Sequence, residues 1–133
     1  MLTLKQLAMV ALGGAIGSVM RFKLGGFVLH HTEGTNFPAS TFVVNVLGCF
    51  VIGLLAALAE HHDLFSPLVR LLLFTGVLGG FTTFSAFGYE SIFLIRRSLF
   101  SVAASYVALS VLCGLFSVFA GMKLIDLIWP PHH

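Results

Sequence analysis

The stretch Thr75-Gly76-Val77-Leu78-Gly79-Gly80-Phe81-Thr82-Thr83-Phe84-Ser85-Ala86-Phe87-Gly88 decides how the chain is read. It lies in an uncharged interval between Arg70 and Glu90, long enough to cross a bilayer. Its middle is nevertheless poor helix material, because a glycine pair and then two threonines follow one another. A turn at membrane depth is tolerated only where it is buried in protein or lines a cavity. Freed carbonyls at such a turn can hold a cation, and freed N–H groups an anion. Phe84 and Phe87 are three apart and share a face once the chain is helical again. Phenylalanine normally contacts lipid, yet its ring edge carries partial positive charge and can face an anion.

The rest of the chain fits a membrane around this segment. Of 133 residues, 58% are apolar and 9% charged, with a mean hydropathy of +1.03. A soluble domain carries about 25% charged residues. Such a chain cannot coat a water-soluble surface, and it is too apolar to be disordered. At roughly 20 residues per spanning helix, four or five spans exhaust it, and no soluble catalytic domain fits beside them. Uncharged intervals run from Lys5 to Arg21, Glu33 to Glu60, Arg70 to Glu90 and Arg97 to Lys123. The first is short, but Lys5 can snorkel, and apolar residues continue through Phe27, Val28 and Leu29. The expected spans are 4–29, 39–59, 68–95 and 99–122, forming one four-helix membrane domain over 1–133. Pro38 and Pro67 suit helix starts, Ser66 suits an N-cap, and Pro130 and Pro131 close the last helix. Long solid apolar runs, without alternation, argue against a β-barrel. Lys5 and the apolar run to Met20 imitate a signal peptide. The flanking Arg21 and Lys23, and the lack of a clean small-residue cleavage site, favour a retained first helix.

Basic residues do not choose an orientation. Lys5, Arg70 and Lys123 fall on one side, and Arg21, Lys23, Arg96 and Arg97 on the other. Two explanations stand: the numbers are too small to bias insertion, or the chain inserts both ways and pairs head to tail. Cys49 and Cys113 fall inside spans, where thiols are mostly apolar filler, so neither disulfide nor metal is expected of them. The histidine pairs His30–His31, His61–His62 and His132–His133 lie outside the spans, which speaks against haem ligation. No nucleotide-binding motif or catalytic triad is visible, the chain is not expected to be an enzyme, and a net charge of +2 gives no hint of nucleic acid.

Polar residues within the spans carry more information. Thr41 and Asn45 are four apart, with Asn45 in the run Val43-Val44-Asn45-Val46-Leu47. A buried amide in lipid needs a partner, so Asn45 is either interhelical glue or a donor lining a polar path. Ser101, Ser105, Tyr106, Ser110, Gly114, Ser117 and Gly121 recur at helical spacing. They form either a close-packing face or a hydroxyl ladder for a dehydrated anion. Gly13, Gly14 and Gly17 suit close helix contact.

The segments GGAIGSVMR, TFVVNVLGCFVIG and GVLGGFTTFSAF, the following Glu90, and the Tyr106/Ser110 pair together resemble the Fluc (CrcB) fluoride channel family. The resemblance covers nearly the whole chain. It implies an antiparallel, dual-topology homodimer of four-span subunits with a broken third helix, in the bacterial inner membrane. Its function would be passive fluoride export that protects the cell from fluoride. Two pores per dimer are implied, with a central structural Na+ held by main-chain carbonyls of Gly79 and Thr82. Pore phenylalanines fall on Phe84 and Phe87, the pore asparagine on Asn45, and the hydroxyl track on Thr41, Tyr106 and Ser110. Arg21 and Glu90 match the family's first-span arginine and third-span acid, in vestibule or structural roles. Departures are Ser40-Thr41-Phe42 where Gly-Thr-Leu is common, Ala86 where TTFSTF has a second threonine, and Gly114 where some relatives carry serine.

Against fluoride, dehydration must be offset by donors. Asn45 offers an amide and Thr41, Tyr106 and Ser110 offer hydroxyls, while ring edges attract weakly enough to let the ion leave. Two other kinds of small membrane protein share this composition. A small multidrug-resistance exporter shares the build but needs a glutamate in the first helix, and Gln6 to Met20 holds no acid. A non-conducting subunit of a membrane complex is disfavoured by Asn45 and the third span.

Overall fold

A computed structural model describes residues 3–61 and 64–130, with the backbone alone at His61. His62, Asp63, Pro131, His132 and His133 lie outside the described residues. The fold is all-α. Helix α1 covers Leu4–His31 and α2 covers Ala39–His61. The third span is composite. A short α3 (Pro67–Arg70) runs into a π-helical stretch, Leu71–Leu78, then α4 (Gly79–Phe81) and, after two extended residues, α5 (Phe84–Arg96). Helix α6 covers Phe100–Ile128. Four helical segments are long and apolar enough to cross a membrane: Leu4–His31, Ala39–Glu60, Pro67–Arg96 and Phe100–Ile128.

Local chemistry explains the ends. Thr3 Oγ1 accepts from Gln6 N–H at 3.3 Å while Gln6 Oε1 accepts from Thr3 N–H at 2.8 Å, a reciprocal cap that starts α1. Ser66 caps α3, with Pro67 in its first turn. Between them, Arg70 Nη2 donates to Ala59 O at 3.0 Å and ties the second loop to the end of α2. At the far end, α6 continues past Lys123 to Ile128. Lys123 ends the uncharged stretch but not the helix, since it pairs with Asp126 one turn on, at 3.5 Å.

Glycines bring backbones together. The principal packing partners are α2 with α6, and α1 with the π-helical stretch. A Cβ on Gly13 would meet the Leu72 carbonyl, one on Gly17 the Val77 carbonyl, and one on Gly80 the Gly14 carbonyl. On the other pair of helices, Gly53 faces the Val118 carbonyl and Gly121 faces the Phe50 carbonyl. In lipid, where apolar burial gives helices no mutual drive, such contact is the main source of association. Long side chains instead point outward: Leu12, Ile16, Leu115, Phe116 and Phe119 are all largely exposed. Buried side chains are few, with Leu94, Ala103 and Tyr106 forming a small core joined by Phe37, Phe42 and Phe87.

Gly17→Ala places a methyl against the Val77 carbonyl, and the overpacking should cost about 1–3 kcal/mol. Gly14→Ala, whose Cβ meets nothing within 4 Å, should be neutral or stabilising by up to about 1 kcal/mol through helix propensity. Thermal unfolding of the purified protein in detergent checks both; equal midpoints for the two variants would contradict the packing described.

Candidate functional site: the interrupted third span and its cavity

The helical ladder of the third span ends when Thr82 N–H donates to Leu78 O at 2.9 Å. Thr82 and Thr83 are then extended, with ψ of 156° and 113°. Thr83 N–H, which in a continuing helix would reach the Gly79 carbonyl, donates instead to Asn45 Oδ1 at 2.8 Å. Asn45 Nδ2 donates back to Thr83 O at 3.0 Å. The carboxamide thus replaces the helical acceptor that Thr83 N–H loses and adds a donor to the Thr83 carbonyl, which suits a low-dielectric site. Thr83 Oγ1 accepts from Ala86 N–H at 3.2 Å and caps α5. On the other side, half-buried Arg21 donates through Nε to Gly80 O at 3.1 Å, fastening α1 to the last turn before the extended residues.

A cavity of about 310 Å³ opens beside these residues. Asn45, Phe84, Phe87 and Ser110 line it, together with Gly48 and Cys49. The Phe84 and Phe87 rings lie 5.6 Å apart at 43°, and Phe87 leans on Tyr106 at 5.3 Å. Phe84 is 83% exposed in the single chain, so one whole face of its ring has no intramolecular cover. The Ser110 hydroxyl oxygen is buried and finds no partner among the described residues. Asn45 keeps one amide hydrogen beyond the bond to Thr83, since its NH₂ carries two.

Thr41, Tyr106 and Glu90 form a second cluster. Thr41 Oγ1 donates to Glu90 Oε1 and Tyr106 OH to Glu90 Oε2, each at 2.7 Å. Thr41 is 8% exposed and Tyr106 0%, so the carboxylate is gripped by two buried hydroxyls. Hydrogen bonds to an ionised acceptor are about twice as strong as neutral ones. The three residues come from α2, α5 and α6, and their bonds join these helices at one point. Thr41 and Arg21 also line a cavity of about 300 Å³ on the α1 side, with Ser40, Thr83 and Ala86.

The structure therefore distributes the residues singled out in sequence over two neighbouring groups. Asn45, Phe84, Phe87 and Ser110 share one cavity. Thr41, Tyr106 and Glu90 share one hydrogen-bond cluster. Gly79 lies in the short helix before the extended turn, Thr82 is the turn's first residue, and Arg21 reaches the same helix from α1 at Gly80. Sequence reasoning missed Thr83 as the partner of Asn45, although a threonine ahead of a helix is a capping signal. It also missed Glu90 as the acceptor for both hydroxyls, and the wall position of Cys49. Among the described residues, no group of three His, Cys, Asp or Glu side chains could hold a metal ion.

Because Thr41 and Tyr106 share one carboxylate, their losses should not add. Thr41→Val and Tyr106→Phe are each expected to destabilise the fold by about 1.5–3 kcal/mol. The double variant should differ from the sum by about 0.5 kcal/mol or more. Denaturation of all three proteins in detergent measures this; strict additivity would contradict the shared acceptor.

Residues 8–122 match the profile of the family described as CrcB-like protein, Camphor Resistance (CrcB). A protein of Methylobacillus flagellatus named fluoride-specific ion channel FluC is 50% identical over 122 residues, covering 92% of this chain and 95% of the relative. A protein of the same name from Rhizobium etli is 47% identical over 120 residues, covering 90% and 95%. Another from Flavobacterium psychrophilum is 40% identical over 119 residues, again covering 90% and 95%. These relatives are named as ion channels and not as enzymes. With four helices able to span and a match across nearly its full length, the chain is a multi-pass inner-membrane protein that belongs to the CrcB-like, or Fluc, family.

Proposed function

We propose that this protein is a fluoride-selective passive channel that lets fluoride leave the cytoplasm and so protects against its toxicity. One observation carries the reading: an amide, two phenylalanine rings and a buried hydroxyl without a partner among the described residues meet in one cavity. The relatives' names point to the same ion.

Fluoride is small and strongly hydrated, so a narrow path must replace its water with hydrogen-bond donors. Among the described residues, the second amide hydrogen of Asn45 and the Ser110 hydroxyl are donors at the cavity without a partner. The edges of Phe84 and Phe87 add weak positive potential, which attracts without trapping. Thr41 and Tyr106 are committed to Glu90, so fluoride reaches their protons only by displacing the carboxylate. Arg21 raises the local concentration of anions through its field, while its bond to Gly80 steadies the turn. Hydrogen fluoride enters the cell as a neutral acid and ionises, and the anion then runs out through the channel down its electrochemical gradient.

In this reading the working unit is an antiparallel homodimer with two pores, and the third span is a functionally broken helix. The uncovered face of Phe84 and the balanced basic loops support it. A structural Na+ at the dimer interface is part of the same proposal. The chain's own residues suit it: the Gly79 carbonyl has lost its helical N–H partner to Asn45, and the Thr82 carbonyl lies in the extended turn. Such unwound carbonyls are the usual ligands of Na+ at membrane depth. Bound there, the ion would supply positive charge that holds the two turns together.

The test is release of fluoride from proteoliposomes, read by a fluoride electrode after addition of a potassium ionophore, beside chloride-loaded vesicles. Fast fluoride release with chloride retained is expected. Phe84→Leu or Phe87→Leu should lower the fluoride rate about tenfold while leaving the oligomer intact. Retention of both ions by folded protein would overturn the channel reading. Unchanged flux in both folded leucine variants would remove the rings from the mechanism.

A further inference from the structure

Cys49 stands on α2 one turn beyond Asn45, and Gly114 stands on α6 one turn beyond Ser110. The two turns face each other. A Cβ built on Gly114 would lie 3.4 Å from Cys49 Sγ. The thiol therefore lies against the open face of Gly114, within contact distance of any side chain placed there. Cys49 also lines the cavity shared by Asn45, Ser110 and Phe87, whereas Cys113 does not. In that same cavity the Ser110 hydroxyl is buried with no partner among the described residues. An unsatisfied donor at such depth is costly. Its presence marks a place where an anion or water completes the bonding. The thiol is thus the next polar group along a wall that already carries an amide and a hydroxyl.

We propose that Cys49 is a wall residue of the conduction path, and that its thiol is a covalent modification site through which small thiol reagents close that path. This rests on the fluoride-channel reading above. A sulfhydryl is a weak donor and a soft, polarisable wall, so it lines the path without holding fluoride. A methylthio group attached to the sulfur has only the space before Gly114 and the cavity itself to occupy. It narrows the passage at the level of Ser110.

The reagent is methyl methanethiosulfonate. The Cys49 thiolate attacks the reagent's sulfenyl sulfur. A new S–S bond forms, the bond to the sulfonyl sulfur breaks, and methanesulfinate leaves. Because the thiolate is the nucleophile, reaction requires that water reach the sulfur. The experiment uses full-length Cys113→Ala protein in fluoride-loaded vesicles, with modification at Cys49 followed by intact mass. Modification should lower fluoride efflux about tenfold, and dithiothreitol should restore it. Cys49→Ala/Cys113→Ala protein should show no response to the reagent. Without reagent, Cys49→Val should conduct more slowly than Cys49→Ser, because only serine keeps a donor.

Full modification with unchanged efflux would overturn the proposal. So would a Cys49 that reacts only after unfolding, or valine and serine variants conducting alike. Failure of the channel reading is distinguishable, because the untreated Cys113→Ala vesicles would then already hold their fluoride.

Discussion

Two hydrogen bonds between the Asn45 carboxamide and the Thr83 backbone hold the third span out of helical form at membrane depth. Every other feature of the site depends on them. A backbone that leaves a helix inside a bilayer exposes an N–H and a carbonyl that no water can satisfy. A carboxamide, with a donor and an acceptor at adjacent atoms, matches that pair. A lysine, arginine or ionised carboxylate lacks one half of the match, and a threonine or serine hydroxyl carries both functions on a single atom. With Thr83 held in this way, the Gly79 carbonyl is released, α5 restarts at Phe84, and its first turn aims two phenylalanines at the cavity.

The same residue joins α2 to the third span and lines the cavity beside the turn. Asn45 spends one amide hydrogen and its oxygen on Thr83 and keeps the second hydrogen. Glu90 shows a related economy: each carboxylate oxygen takes one buried hydroxyl, so a charge within the span is held by donors from two other helices. Such a charge is tolerable only when so partnered. The cluster also explains why Thr41 and Tyr106, four-residue neighbours of Asn45 and Ser110 on their own helices, face a common point.

Much of the architecture was legible because charge is so scarce. The intervals between charged residues locate four spans, and Ser66-Pro67 marks the start of the third, where the structure begins a helix at Pro67. The end of the fourth was not legible from charge, because Lys123 and Asp126 satisfy each other within the helix. The π-helical stretch Leu71–Leu78 has no signature in composition. It lies where Gly13, Gly17 and Gly76 let two backbones touch, a tertiary contact that one-dimensional patterning does not carry. For the site, in-span polar residues were the informative signal, since lipid makes each of them expensive. Spacing put Thr41 with Asn45 and Tyr106 with Ser110 on shared faces. It could not say that Glu90 would bridge α2 to α6, because that pairing joins residues far apart in the chain. Cys49 was set aside as filler, and only its position opposite Gly114 gives it a wall.

The claim that Asn45 holds the extended turn is tested most directly by amide hydrogen exchange in Asn45→Ala protein. Thr83 N–H should lose its protection, while amides in the middle of α2 and α6 keep theirs. Equal protection of Thr83 in parent and variant would contradict the account, because its N–H would then have a partner other than Asn45.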